Sequence, residues 1–373
     1  MQDESYYEGR EQTYIKHYFL EKYLEKVAYK IGSFTDKFAF VDGFSGPWQS
    51  SNEEFDDTSF MIAIRKLREV KVGLEKIGRN FDVKCVFVEK DPVAYESLLF
   101  AVAGISDIEI STINGEFESS IPQIINEIKP RFSLTFVDPT GWTGYSLKHI
   151  KPILEYNPGE VIVNFMFDHI QRFVDHPDEK VSKTFDDLFG SVNWRETTEN
   201  NLIDKYSGVL KTEGNFKYST FTEIKKPLVD RAYFHLIYGT RHPAGIIEFR
   251  AAEKQSSTKQ EIVRANAKGK KREDISGQED LFGVDHDHNK IRFENKRNAN
   301  IAKMRSTLIE LLQATGSTKY LHAAAHSLCV PLVWEADFKD LLISLQEESI
   351  VEIIGMKSNE RRPNSSHTIK YIA

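Results

Sequence analysis

The sequence predicts an α/β protein, a doubly wound and mostly parallel sheet followed by a small C-terminal winged-helix domain. Three observations lead there. Short apolar runs bounded by turn residues recur at 38–41, 81–88, 108–113, 132–137 and 160–165, the pattern of strands buried on both faces. Amphipathic stretches separate them, and strand–helix alternation builds a parallel sheet. Three runs end on an acid, Asp42, Glu89 and Asp138, at the carboxyl ends of strands, where open α/β sheets bind ligands.

With 373 residues, 40% hydrophobic and 12% aromatic, the chain can bury a sizeable core, and its length suggests roughly two or three domains. Composition divides it into a sheet domain over 1–251, a polar, mobile excursion or linker over 252–300, and a winged helix over 301–373. No apolar run approaches the roughly 18 residues that span a bilayer. The N-terminus, with Asp3, Glu4, Glu8 and Glu11, lacks the layout of a signal peptide, so a cytoplasmic protein without a membrane partner is expected. Two cysteines, Cys85 and Cys329, exclude a disulfide framework or a cysteine zinc site. A net charge of -7 lends no support to a nucleic-acid partner, although a local basic patch remains compatible with it.

Taking the elements in order, Ile15, Tyr18, Phe19, Tyr23, Leu24, Val27 and Ile31 fall at helical spacing over 12–31. Lys16 and His17 read as the solvated face of that helix. The first strand runs into Asp42-Gly43-Phe44-Ser45-Gly46-Pro47, where glycines let the backbone bend and approach a ligand. The chain has neither a dinucleotide glycine fingerprint nor a P-loop motif, so a smaller nucleoside cofactor is the better fit. Thr58 or Ser59 caps a helix over 60–70.

Glu89 closes the second run and is placed to accept hydrogen bonds from both ribose hydroxyls. Asp91-Pro92 starts the helix after it. Asn114-Gly115-Glu116-Phe117 reads either as a plain turn or as an adenine contact, with Glu116 at the exocyclic amine and Phe117 beside the base. In the fourth unit Asp138 precedes Pro139, Thr140, Gly141 and Trp142, which puts a carboxylate on a stiffened turn at the same cleft. Residues 166–215 read as charged helices packed through Phe185 and Trp194, and 216–224 and 232–240 as strands. Arg241 and His242, after the last of these, are either turn residues or cleft residues. The tetrad Asp285-His286-Asp287-His288 lacks the i, i+4 placement that aims two ligands together, so no metal site is expected.

The C-terminal part shows helical periodicity over 301–312, 319–329 and 336–345, then strands over 350–354 and 367–372. Its loop would be the wing and carries Lys357, Arg361 and Arg362. The third helix is acidic, with Glu335, Asp337, Asp340, Glu347 and Glu348 in or around it. Such a helix is a poor entrant to a phosphate-lined groove, which leaves protein contacts as the alternative role.

Several of these segments together, in order, resemble the bacterial three-Cys-motif partner protein family over most of the chain. They are Lys16-His17 with Leu20, Tyr23 and Leu24, then Val41-Asp42-Gly43-Phe44-Ser45-Gly46, Phe87-Val88-Glu89-Lys90, Phe136-Val137-Asp138-Pro139-Thr140-Gly141, and Gly239-Thr240-Arg241-His242 before the winged-helix tail. The family is similar to class I methyltransferases that use S-adenosylmethionine, which implies a seven-stranded Rossmann-like sheet. The resemblance implies that Asp42 holds the methionine ammonium, that Gly43, Phe44 and Gly46 form the cofactor turn, that Glu89 holds the ribose, and that Glu116 and Phe117 contact adenine.

Asp138-Pro139 resembles the motif of amino-group methyltransferases in which the acid accepts a hydrogen bond from the target amine. Thr140 and Gly141 stand where that motif has a second proline and an aromatic, and Trp142 is the residue left to supply a stacking face for a flipped base. The implied function is methyl transfer to an amino nitrogen of a nucleic acid or nucleotide, with DNA or RNA as substrate and a three-Cys-motif protein as partner. The alternative is a non-catalytic nucleotide-binding module whose winged helix recruits a partner, as in phage defence or mobile-element biology.

Overall fold

A computed structural model of the chain describes residues 4–46, 50, 55–167, 170, 178–190, 202–276, 284–357 and 359–373. The expected Trp194 packing and the end of the first turn at Pro47-Trp48 lie outside them, as do the side chains of the 285–288 tetrad. The chain forms two compact units, 1–241 and 242–373.

The first unit holds a seven-stranded sheet in the order β3-β2-β1-β4-β5-β7-β6. The strands are β1 (Lys37–Asp42), β2 (Asp82–Glu89), β3 (Glu109–Asn114), β4 (Phe132–Val137), β5 (Gly159–Phe165), β6 (Tyr218–Lys225) and β7 (Ala232–Thr240). β1 pairs in parallel with both β2 and β4, whereas β7 runs antiparallel to β5 and β6. Chain order therefore reverses at β1, and the crevice outside the carboxyl ends of β1 and β4 is the switch point at which such sheets bind ligands.

Side chains alternate across the sheet. Ala39 and Val41 join the cluster formed by α4 (Phe117–Ile128), α5 (Leu147–Glu155), α6 (Glu179–Phe189) and α7 (Leu202–Glu213). On the other face lie α1 (Glu11–Gly32) and α2 (Ser59–Glu75), whose Phe60 meets Phe87 at 5.8 Å. Between β2 and β3 runs α3 (Pro92–Val102), capped as its sequence predicts, with Asp91 accepting the Ala94 N–H at 2.8 Å. The Arg241 guanidinium donates to the carbonyls of Leu154, Tyr156, Gly159 and Gly214. It closes helix ends at the amino end of β5, so the cleft role considered for it does not hold. Lys16 and His17 are buried together with Glu21, contrary to the solvated face expected of the first two. α1 is covered on more sides than its apolar stripe alone requires.

The second unit begins ten residues before the expected boundary (251 against 241). Its elements are α8 (Pro243–Ser276), α9 (Val284–Thr315), β8 (Ser317–Lys319), α10 (Tyr320–Ser327), α11 (Glu335–Glu347), β9 (Val351–Ile354) and β10 (Thr368–Tyr371). β10 pairs antiparallel with β8 and β9 in a small three-stranded sheet, whose short β8 has no clear sequence signal. The stretch 252–300, expected to be a polar excursion, is helical over its described residues. The buried positions of α8, which starts before that stretch, include Ile246, Phe249, Arg250, Glu253, Ser256, Ser257, Gln260, Val263 and Arg264, and follow the three-and-four spacing of a helix seam. Six of these nine residues are polar or charged, which hid the seam from an apolar count. The acidic α11 neutralises basic neighbours: Arg362 of the wing lies 2.6 Å from Asp340, and Arg297 lies 2.9 Å from Asp337.

Candidate functional site

Two cavities open on the crevice, both lined within the first unit. The smaller, about 90 Å³, is lined by Gly43, Phe44, Glu89, Gly115, Phe117 and Thr140 among others. The larger, about 290 Å³, is lined from α1 by Lys16 and His17, from the β1 turn by Phe44 and Gly46, from the β4 end by Asp138, Pro139 and Thr140, and from β5 by Asn164. Phe44 and Thr140 line both.

The turn after β1 is held from two sides. The Gly43 N–H donates to the Phe136 carbonyl at 3.0 Å and the Ser45 N–H to the Val88 carbonyl at 2.8 Å, so β4 and β2 clamp it. A Cβ on Gly43 would stand 2.7 Å from the Phe117 ring, and Phe117 is buried against Phe44 at 5.6 Å. Glycine is thus required here for the aromatic wall of the small cavity. Glu89 is buried, accepts the Asp91 N–H at 2.7 Å, and is pushed above the ordinary carboxylate range by burial, against which the Asp91 and Lys90 amides act.

Asp42 is fully buried and lines neither cavity. Its carboxylate accepts the Phe44 N–H at 3.0 Å and the Ser59 hydroxyl at 2.6 Å, so it shapes the turn and the start of α2. Burial raises its pKa from 3.8 to about 7, against the lowering effect of those two hydrogen bonds. Because the native form holds its proton more tightly than the unfolded chain, Asp42 favours folding at low pH, and that contribution is lost as pH rises through about 7. Wild type is expected to lose stability between about pH 4 and 7, by up to about 4 kcal/mol, and Asp42→Asn to flatten that slope. Urea denaturation at pH 5 and pH 8 checks this, and equal slopes would refute it.

Asp138 is held by two side-chain donors. Its Oδ2 accepts from Lys16 Nζ at 2.5 Å and its Oδ1 from Asn164 Nδ2 at 2.7 Å. A carboxylate can only accept, so the Asn164 amide orientation is fixed. Asn164 Oδ1 is then buried without a hydrogen-bond partner among the described residues. The Lys16 ammonium also lies 5.1 Å from the centre of the Phe234 ring. His17 is held neutral by burial and by the nearby Lys16 and Arg10 charges. It meets the Tyr7 hydroxyl at 3.0 Å, and Arg10 pairs with Asp57 at 3.0 Å.

The structure thus brings Gly43, Phe44, Glu89 and Phe117 to the small cavity and Phe44, Gly46, Asp138 and Pro139 to the large one. Three expected residues stand apart, Asp42 as described above and two more. The Glu116 side chain is exposed and lines neither cavity, because Glu116 is the residue before α4 and its carbonyl serves the Ser120 N–H. Trp142 packs on Phe185 at 5.9 Å and lines neither cavity, so the stacking face expected of it goes to the core. Lys16, His17, Ser59, Asn164 and Phe234 are among the cavity residues that sequence reasoning did not place in the site. Nothing in the sequence singled out Lys16 from Lys22, Lys26 and Lys30 of the same helix as a site residue.

Sheet order and the single reversed strand β7 decide the architecture. This is a methyltransferase-like fold. No family model and no curated protein matches the chain. Among solved structures it is similar to a protein from Legionella pneumophila str. Philadelphia 1, 13% identical over 61% of this chain and 84% of that one, with a TM-score of 0.33. It is also similar to a loganic acid methyltransferase with SAH, 8% identical over 71% of this chain and 91% of that one, with a TM-score of 0.30.

The chemistry of the crevice residues suits a nucleoside cofactor. A buried acid and an aromatic wall share the small cavity, and the neighbouring cavity is lined by Asp138 and by Asn164, whose amide oxygen is buried without a hydrogen-bond partner among the described residues. Among the described residues, no helix is long and apolar enough to cross a membrane.

Proposed function

We propose that the chain is an S-adenosylmethionine-dependent methyltransferase acting on an amino nitrogen of a nucleic acid or nucleotide. The observation that carries this reading is the pair Asp138 and Asn164 Oδ1, hydrogen-bond acceptors on residues lining one cavity. An –NH2 group offers two donors, and these acceptors suit it. When bound, S-adenosylmethionine supplies the electrophilic methyl group. Glu89 takes the ribose hydroxyls, and Phe44 and Phe117 flank the adenine. Asp138 accepts a hydrogen bond from the target nitrogen and holds its lone pair on line, an orientation effect worth at most roughly 7 to 11 kcal/mol. Phe44, Pro139 and Phe234 wall the acceptor side and exclude water.

Calorimetric titration with S-adenosylmethionine and S-adenosylhomocysteine tests the cofactor. Glu89→Ala is expected to weaken both by about one to two decades, the roughly 1.5 to 3 kcal/mol of a charge-assisted hydrogen bond. A folded variant that binds like wild type rejects the assignment.

A second reading keeps the cofactor but removes the reaction. Both Asp138 oxygens already hold protein donors, which favours a nucleotide-binding module that recruits a partner, including a three-Cys-motif protein, through its winged helix. Cofactor binding without transfer to pooled DNA or RNA oligonucleotides supports that alternative.

A further inference from the structure

We propose that Lys16 Nζ stands at the acceptor-amine position of the site, so that the chain carries its own methyl acceptor. The inference rests on the methyltransferase reading above and names a modification site within it.

Nζ is an amine already bonded to Asp138 Oδ2 at 2.5 Å, the oxygen an external amine would need, while Asn164 fixes the other oxygen at 2.7 Å. Lys16 lines the same cavity as Asp138, Phe44 and the β1 turn. The Phe234 ring 5.1 Å away is the kind of face that accommodates an ammonium and its methylated forms. Lys16 reaches this place from α1, 122 residues from Asp138 in sequence, and its burial leaves the ammonium little solvent to retreat to. A lysine serving only the helix surface has no reason to point inward at this carboxylate.

The transfer balances without further reactants. Nζ gives a proton to Asp138, its lone pair forms the N–C bond to the methyl carbon, and the C–S bond breaks with its electron pair left on sulfur. Methyl-lysine and S-adenosylhomocysteine result, and Asp138 returns the proton to solvent.

Two readouts test the proposal. After incubation of the full chain with S-adenosylmethionine and no other acceptor, peptide mass spectrometry should find a gain of about 14 Da, one methyl replacing hydrogen, on Lys16. The second readout needs no turnover. An ammonium at the acceptor position repels a sulfonium but not a thioether, so Lys16→Met, which keeps the stem, should tighten S-adenosylmethionine relative to S-adenosylhomocysteine about fivefold by calorimetry. Unmodified Lys16 in protein that binds the cofactor overturns the proposal, as does an unchanged affinity ratio in Lys16→Met. Failure of wild type to bind either ligand defeats the methyltransferase reading itself and brings this proposal down with it.

Discussion

Asp138→Ala is expected to abolish methyl transfer to an amine while leaving cofactor affinity nearly unchanged, and to destabilise the first unit by about 3 kcal/mol. The structure sets that magnitude. A turn-capping acid is worth about 1 kcal/mol, but Asp138 is the partner of Lys16, and both side chains are about one-tenth exposed. Removing it leaves a buried ammonium uncompensated, a loss of about 3 to 5 kcal/mol in dry sites, with residual solvent placing it at the lower end. The Asn164 amide loses its acceptor in the same change. A fall of about 6 to 12 °C in Tm follows for a unit of this size.

Structural and chemical roles separate in the double variant Lys16→Met with Asp138→Ala. It should recover much of the Tm, because no unpaired charge remains, and recover none of the transfer. Asp138→Asn keeps the shape and one acceptor oxygen, so partial activity there assigns the effect to hydrogen-bond orientation. Differential scanning calorimetry, cofactor titration and single-turnover transfer to an oligonucleotide pool, run on one preparation, decide it. A fully active Asp138→Ala protein would refute the chemical role.

In the second unit, Arg250→Met is expected to cost about 3 to 5 kcal/mol. Arg250 is fully buried, and its guanidinium donates to the carbonyls of Leu328 at 2.8 Å and Cys329 at 3.2 Å and lies 2.7 Å from Glu253. Glu253 in turn accepts the Leu332 N–H at 3.1 Å. One pair therefore pins α8 to the segment between α10 and α11. Met fills a similar volume but leaves the Glu253 carboxylate buried without its cation. Hydrogen exchange should show α10 and α11 amides losing protection while the sheet of the first unit keeps its own, and adding Glu253→Gln should restore part of it. Unchanged protection in the second unit would show that the seam holds without the pair.

The segments that the sequence made legible are those whose burial is written in apolar residues. Strands β1, β2, β4 and β5 are mostly apolar, β1 and β2 ending on Asp42 and Glu89 and β4 running into Asp138 just after Val137, and helix starts such as Asp91-Pro92 carry their own chemistry. Period and capping are local, so the alternation of strands and helices, and with it the crevice, could be read before any contact was known. The seam of α8 could not, because Arg250, Glu253, Ser256, Ser257 and Gln260 occupy its inward positions, and a polar residue reads as exposed until its buried partner is found.

The same limit governed the site. Sequence alone determined which acids end the strands, but not what each carboxylate meets. Only tertiary structure decided that Asp42 spends both oxygens on the Phe44 amide and Ser59, that Trp142 turns to Phe185, and that Lys16 crosses from α1 to Asp138. The physical reason is that a charged or aromatic side chain takes its role from the nearest partner in space, and these partners lie as far as 122 residues away along the chain, beyond the reach of any local pattern.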